Sequence, residues 1–162
     1  MGKEIQNKAL LSVIIATIGM LIYITFRFQL SYGISAILAL THDVLFVLAI
    51  YAIFRIPLNS PFVAAMLTVV GYSINDTIVV FDRIRENMKH AKKNAYEEVA
   101  EMSIKQTISR SINTSLTTLL AIIALYIFGV ESIREFTLPL LTGIMVGTYS
   151  SIFIASPIWV LI

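Results

Sequence analysis

The sequence predicts an all-α membrane protein, a single bundle of five transmembrane helices, and three observations carry that prediction. Hydrophobic residues fill 57% of the 162 positions and charged residues 14%, far from the soluble averages of about 45–50% and about 25%. The mean hydropathy is +0.84, and such a chain has more apolar surface than a water-soluble domain of its size hides. Five apolar stretches, at 9–26, 30–54, 60–81, 104–128 and 137–162, leave only one sizeable polar segment, at 82–103. One transmembrane domain over 1–162, with no separate soluble domain, is therefore expected.

The stretch 9–26 is flanked by Lys3, Glu4 and Lys8 before it and Arg27 after it. Its apolar core exceeds that of a signal peptide and no small-residue cleavage site follows, so it reads as a spanning helix. The second stretch, 30–54, is interrupted by His42 and Asp43 and ends at Arg55. Pro57 and Asn59 then break the chain, and Ser60-Pro61 marks a new start, with the serine as N-cap and the proline at the first helical position. Stretches two and three are expected to form an antiparallel hairpin, the third carrying Asn75 and Asp76. The fourth begins with a polar half, which requires protein neighbours rather than lipid. In the fifth, Gly143 and Gly147 lie four apart and Ser151 and Ala155 continue the stripe. Small residues at that spacing let a second helix approach closely, since association in lipid rests on van der Waals packing. Pro157 is expected to bend the last turns.

Cysteine is absent, which excludes disulfides, thiolate catalysis and cysteine metal sites. A net charge of +2 gives no argument for nucleic acid. No phosphate loop, metal-spaced histidine cluster or nucleophile elbow appears, so neither an enzyme nor a metal or cofactor is expected. Arg83, Arg85, Lys89, Lys92 and Lys93 crowd the loop 82–103, against Arg55 and Arg134 on the opposite face. The bias places that loop in the cytoplasm and the N-terminus on the outer side, which suggests that an earlier spanning helix has been removed.

Acids and bases inside apolar helices cost about 2.5–3.5 kcal/mol each on insertion scales, so Asp43, Asp76 and Arg110 are candidate functional residues. Counted from the ends of the apolar stretches, Asp76 and Arg110 fall at matching depths of about 9 Å and are expected to pair. Such a pair is either a fixed bridge between two helices or a working proton relay. Helix four carries a polar row of Ser103, Gln106, Thr107, Arg110, Asn113, Thr114 and Thr117, and helix three a face with Tyr72, Asn75, Asp76 and Val79 beside Gly71. These side chains suit a relay, although they also suit interhelical glue. A carboxylate beside a guanidinium keeps its charge, whereas one isolated in a dry interior takes up a proton, so proton exchange becomes helix motion. His42 and Asp43 are neighbours pointing about 100° apart; they read either as a second site or as two side chains each satisfying a helix partner.

The run Gly71-Tyr72-Ser73-Ile74-Asn75-Asp76-Thr77, continuing through Phe81-Asp82-Arg83 to Asn87, resembles the SecF signature of the SecD/SecF family of protein-export membrane subunits. The blocks Thr41-His42-Asp43-Val44, Ser109-Arg110-Ser111-Ile112-Asn113-Thr114, and Gly147 to Pro157 agree, so the resemblance covers nearly the whole chain. It implies an RND-type half of a membrane domain, completed by SecD, in the cytoplasmic membrane. It also implies a role, driven by the proton-motive force, in late translocation of preproteins through SecYEG after SecA has begun it. By motif, Asp76 and Arg110 occupy the positions of proton transport. The family's first helix and periplasmic domain have no counterpart here, so a truncated chain that does not export alone is expected. Two other readings stay open, an RND-type small-molecule exporter half and a passive scaffold for translocon assembly.

Overall fold

The computed structural model describes residues 3–92 and 95–162. Lys93 of the basic loop lies outside them. The chain runs α1 (Lys3–Arg27), α2 (Leu30–Ile53), α3 (Ser60–Met88), α4 (Tyr96–Phe128) and α5 (Glu131–Ser150), then a π-helical turn (Ser151–Ala155) and α6 (Ser156–Leu161). The fold is all-helical, as predicted. Among the described residues, α2, α3, α4 and the continuous rod Glu131–Leu161 are long and apolar enough to cross a membrane. α1 contributes a further apolar segment, Leu11–Arg27 among the described residues.

Local chemistry sets the helix ends. Asn59, not Ser60, caps α3: its side chain accepts a hydrogen bond from the Phe62 amide at 2.9 Å. An amide oxygen reaching the third helical N–H meets the need of an N-terminus, with Pro61 in the first turn. At the other end of the hairpin turn Arg55 adopts φ 53°. The Ile56 amide reaches back to the Tyr51 carbonyl and the Arg55 amide to that of Ala52, a Schellman closure that normally places glycine at the left-handed position. In the last rod, the turn widens over Ser151–Ala155 just before Pro157. Proline has no N–H for the i→i−4 ladder, and a π-bulge relieves such a break.

The rod Glu131–Leu161 packs against α2, α3 and α4, while α1 lies against α2 and α3. α3 and α5 run parallel and close together. A Cβ on Gly143 would stand 2.3 Å from the Val69 side chain, and one on Gly147 would stand 3.0 Å from the Ser73 Cβ. Gly71, in contrast, faces open space, with no described residue within 4 Å of a Cβ placed there. Ile24 and Phe28 anchor α1 while Leu11, Ile15, Ile18 and Ile22 stay exposed, the ordinary surface of a helix in lipid. One apolar core, with Tyr32, Phe81, Ile84, Val99 and Trp159, occupies the loop end. Two others, around Val69, Leu140 and Ile144 and around Val47, Tyr51 and Phe62, occupy the far end. Buried polar side chains gather at mid-height between them.

Candidate functional site

The mid-height polar layer is built by α2, α3 and α5. Asp43 is 1% exposed, and its Oδ2 accepts hydrogen bonds from Ser73 Oγ at 2.6 Å and Ser150 Oγ at 2.8 Å. Its Oδ1 lies 3.2 Å from His42 Nδ1. One carboxylate thus ties three helices together. Asp76, 7% exposed, accepts from Ser151 Oγ at 2.5 Å. The two acids are therefore held by consecutive serines, the second of which opens the π-helical turn. The geometry follows from the α3–α5 contact. Val69, Ser73 and Asp76 share the α3 face that Gly143, Gly147 and Ser151 meet, and absent Cβ atoms at the two glycines bring the backbones near enough for hydroxyls to reach.

The expected Asp76–Arg110 pair is not formed. Tyr72–Thr118, Arg83–Gln106 and Asn87–Ser103 are hydrogen-bonded across α3 and α4. In that register Asp76 is level with Thr114 and Arg110 with Val80, about one 5.4 Å turn nearer the polar loop. Counting from the apolar ends misplaces Arg110 because those ends do not set the register of α3 against α4, which the three hydrogen bonds across the pair fix. Arg110 is exposed and lines a groove of about 380 Å³ between α3 and α4 with Asp82, Arg83 and Glu86. Among the described residues it has no hydrogen bond or ion pair.

The polar row expected on α4 divides in two. Ser103 and Thr107 are buried, on the side that also carries the buried Ser111 and Ser115 from outside the expected row, whereas Gln106, Arg110, Asn113, Thr114 and Thr117 are exposed. Thr107 and Thr117 donate to carbonyls of their own helix. Ser115 meets Thr148 of α5 at 2.5 Å, and Ser111, 1% exposed, has no hydrogen-bond partner among the described residues. On α3, Tyr72 donates to Thr118 at 3.3 Å. Asn75 departs from the face of Asp76: it is exposed and lines a groove between α1 and α3 with Gly19, Tyr23 and Gly71. His42 is half-buried beside Asp43.

Sequence reasoning missed Ser73, Ser150 and Ser111, and took Ser151 only as a member of the small-residue stripe. The available signal was the double serine placed a turn after Gly147, on the strand of sequence that closes on α3. Among the described residues no group of three or more histidine, aspartate or glutamate side chains is arranged to hold a metal. The arrangement offers two buried carboxylates, hydroxyl donors fixed on them, and a loosened helical turn that begins at the second of those donors.

The family described as protein export membrane protein SecD/SecF, C-terminal, matches residues 1–162. The chain is 48% identical over 138 residues to the protein translocase subunit SecF of Borreliella burgdorferi, covering 85% of this chain and 46% of that protein. It is 50% identical to the SecF of Alicyclobacillus acidocaldarius, covering 98% and 53%, and 44% identical to the SecDF of Bacillus subtilis, covering 98% and 22%. The chain thus spans about half the length of the SecF relatives it matches. The crystal structure of SecDF from Thermus thermophilus, a translocon-associated membrane protein, superposes with a TM-score of 0.90 at 46% identity, over 94% of this chain and 21% of that one. A SecDF structure in a super-membrane-facing form gives 0.89 at 44% identity, over 99% and 22%.

Proposed function

The chain belongs to the SecD/SecF family of protein-export membrane proteins, and from that premise we propose that it is the membrane half of a Sec translocase accessory subunit that couples proton movement to helix movement. Its task is to assist late export of preproteins across the cytoplasmic membrane, in company with SecD and the SecYEG channel, and indirectly SecA. The observation that carries the reading is the pair of buried acids, Asp43 and Asp76, fastened to Ser150 and Ser151 at the head of the π-helical turn.

A carboxylate accepts hydrogen bonds only, while a protonated carboxyl also donates one. Protonating Asp76 therefore weakens its hold on Ser151, and the widened turn is the place where α5 can yield. Arg110 stands one turn from the level of Asp76, and one-turn slides of packed helices are a known form of switching. In this reading α4 slides along α3, Arg110 comes level with Asp76, and the proton is expelled. Each proton crossing the membrane supplies about 2.3 kcal/mol per 100 mV. The lysine and arginine bias supports a cytoplasmic loop at 82–103. The exposed row of Arg110, Asn113, Thr114 and Thr117 supports a second set of helices, contributed by SecD, against α4, because polar side chains in a membrane face protein or water.

The test is complementation of an export-deficient strain by the full-length protein carrying Asp76→Asn. Loss of export with normal assembly supports the proton-coupled reading. Full complementation contradicts it and leaves a scaffold. Export independent of SecYEG, with efflux of a small molecule instead, would point to an exporter half.

A further inference from the structure

The end of the bundle that carries the polar loop holds a cavity of about 860 Å³ that the proposed proton path does not use. Arg27, Arg85 and Lys89 line it, and no aspartate or glutamate does. The guanidinium groups of Arg27 and Arg85 both lie over the Phe28 ring, 5.2 and 5.5 Å from its centroid. Arg85 Nη1 donates to the Arg27 carbonyl at 2.8 Å, which orients that side chain. Arg27 meets Asp82, outside the cavity, at 3.5 Å. Among the described residues neither Arg85 nor Lys89 has a carboxylate partner. Converging like charges repel, and an anion seated among them removes that cost. The rest of the wall is mostly apolar, with Met88, Val160 and Leu161 beside Tyr96 and Trp159, which meet edge to face at 6.0 Å. Cations beside tyrosine and tryptophan at the end of spanning helices mark the depth of lipid headgroups, and basic pockets between such helices take anionic headgroups.

We infer that this cavity binds the phosphate headgroup of an anionic phospholipid, the phosphate between Arg27, Arg85 and Lys89 and the acyl chains along Tyr96 and Trp159. The aromatic wall and the position at a membrane face select a lipid over free phosphate, since a free anion has no use for the apolar side. The inference is independent of the proton-coupled reading.

Trp159 is the only tryptophan in the sequence, so its fluorescence reports the cavity. The full chain is reconstituted in vesicles of phosphatidylcholine and phosphatidylglycerol, with brominated acyl chains on one lipid or the other. The expected result is a preference of about tenfold for quenching by phosphatidylglycerol, lost in Arg85→Gln/Lys89→Gln and kept in Lys92→Gln, an exposed loop lysine outside the cavity. Equal quenching by the two lipids in the unaltered chain overturns the inference, whether or not the double variant folds. Equal loss in Lys92→Gln overturns it in favour of diffuse surface attraction. Abolition of the preference by inorganic phosphate overturns the lipid assignment in favour of a free-phosphate site.

Discussion

Asp43 shows what a buried acid in an apolar helix needs: two serine hydroxyls on Oδ2 and a histidine nitrogen near Oδ1. Hydrogen bonds to a charged group contribute about 1.5–3 kcal/mol each. Asp43→Ala should therefore lower stability by about 2–4 kcal/mol in a reversible unfolding titration in mixed micelles, and Asp43→Asn by clearly less, because the amide oxygen still accepts from a serine. Ser111 is the opposite case, a buried hydroxyl without a partner, whose desolvation costs about 1–3 kcal/mol. Ser111→Ala should leave the fold equally or more stable, yet slow proton conduction if that hydroxyl serves the path beside Arg110. Unchanged conduction would remove it from the path. The acids were legible in the sequence because charge inside an apolar stretch is conspicuous. Their serine partners were not, since hydroxyls such as those of Ser35 and Thr117 simply bond back to their own helix, and only the fold distinguishes the two uses.

At the scale of elements, the α3–α5 contact is the most constrained. Alanine at Gly143 collides with Val69 at 2.3 Å, whereas alanine at Gly147 meets Ser73 at 3.0 Å. Overpacking typically costs about 1–3 kcal/mol, so Gly143→Ala should be the more destabilising in the same titration, and equal effects would show that the helices separate freely. Arg55 carries the left-handed turn after α2 at a cost of about 1–2 kcal/mol for a side-chain-bearing residue. Arg55→Gly should stabilise the hairpin by about 1 kcal/mol, with no gain expected if the turn relaxes to another form. The small-residue spacing and the proline near the C-terminal end were readable from the sequence. Helix ends were less so, because polar turns prolong α3 to Met88 and α4 back to Tyr96, and the level of Arg110 was not legible because side-chain hydrogen bonds between the two helices set their register. The fifth helix likewise starts at Glu131, ahead of the apolar stretch at 137–162, and runs through the buried Pro139.

The molecule as a whole is a bundle with one finished side and one unfinished side. α2, α3 and the last rod enclose the acids, while α4 turns Arg110, Asn113, Thr114 and Thr117 outward. The all-helical class was legible from composition and apolar run length, but the outward direction of that row was not, because a helical period shows which residues share a face and not what the face meets. Cysteine pairs placed at Asn113 and Thr117 and on the helices of a SecD partner should cross-link in the assembled complex; cross-linking only between copies of this chain would contradict the proposed half-bundle. The proposed step at the heart of the bundle is the exchange of a proton by Asp76 as the helices shift. It is tested most directly by proton conduction in proteoliposomes holding the complete complex under an imposed membrane potential. Conduction should fall by at least about tenfold in Asp76→Asn, and as far in Arg110→Ala, with the assembled complex intact. Normal conduction in assembled Asp76→Asn would contradict the account.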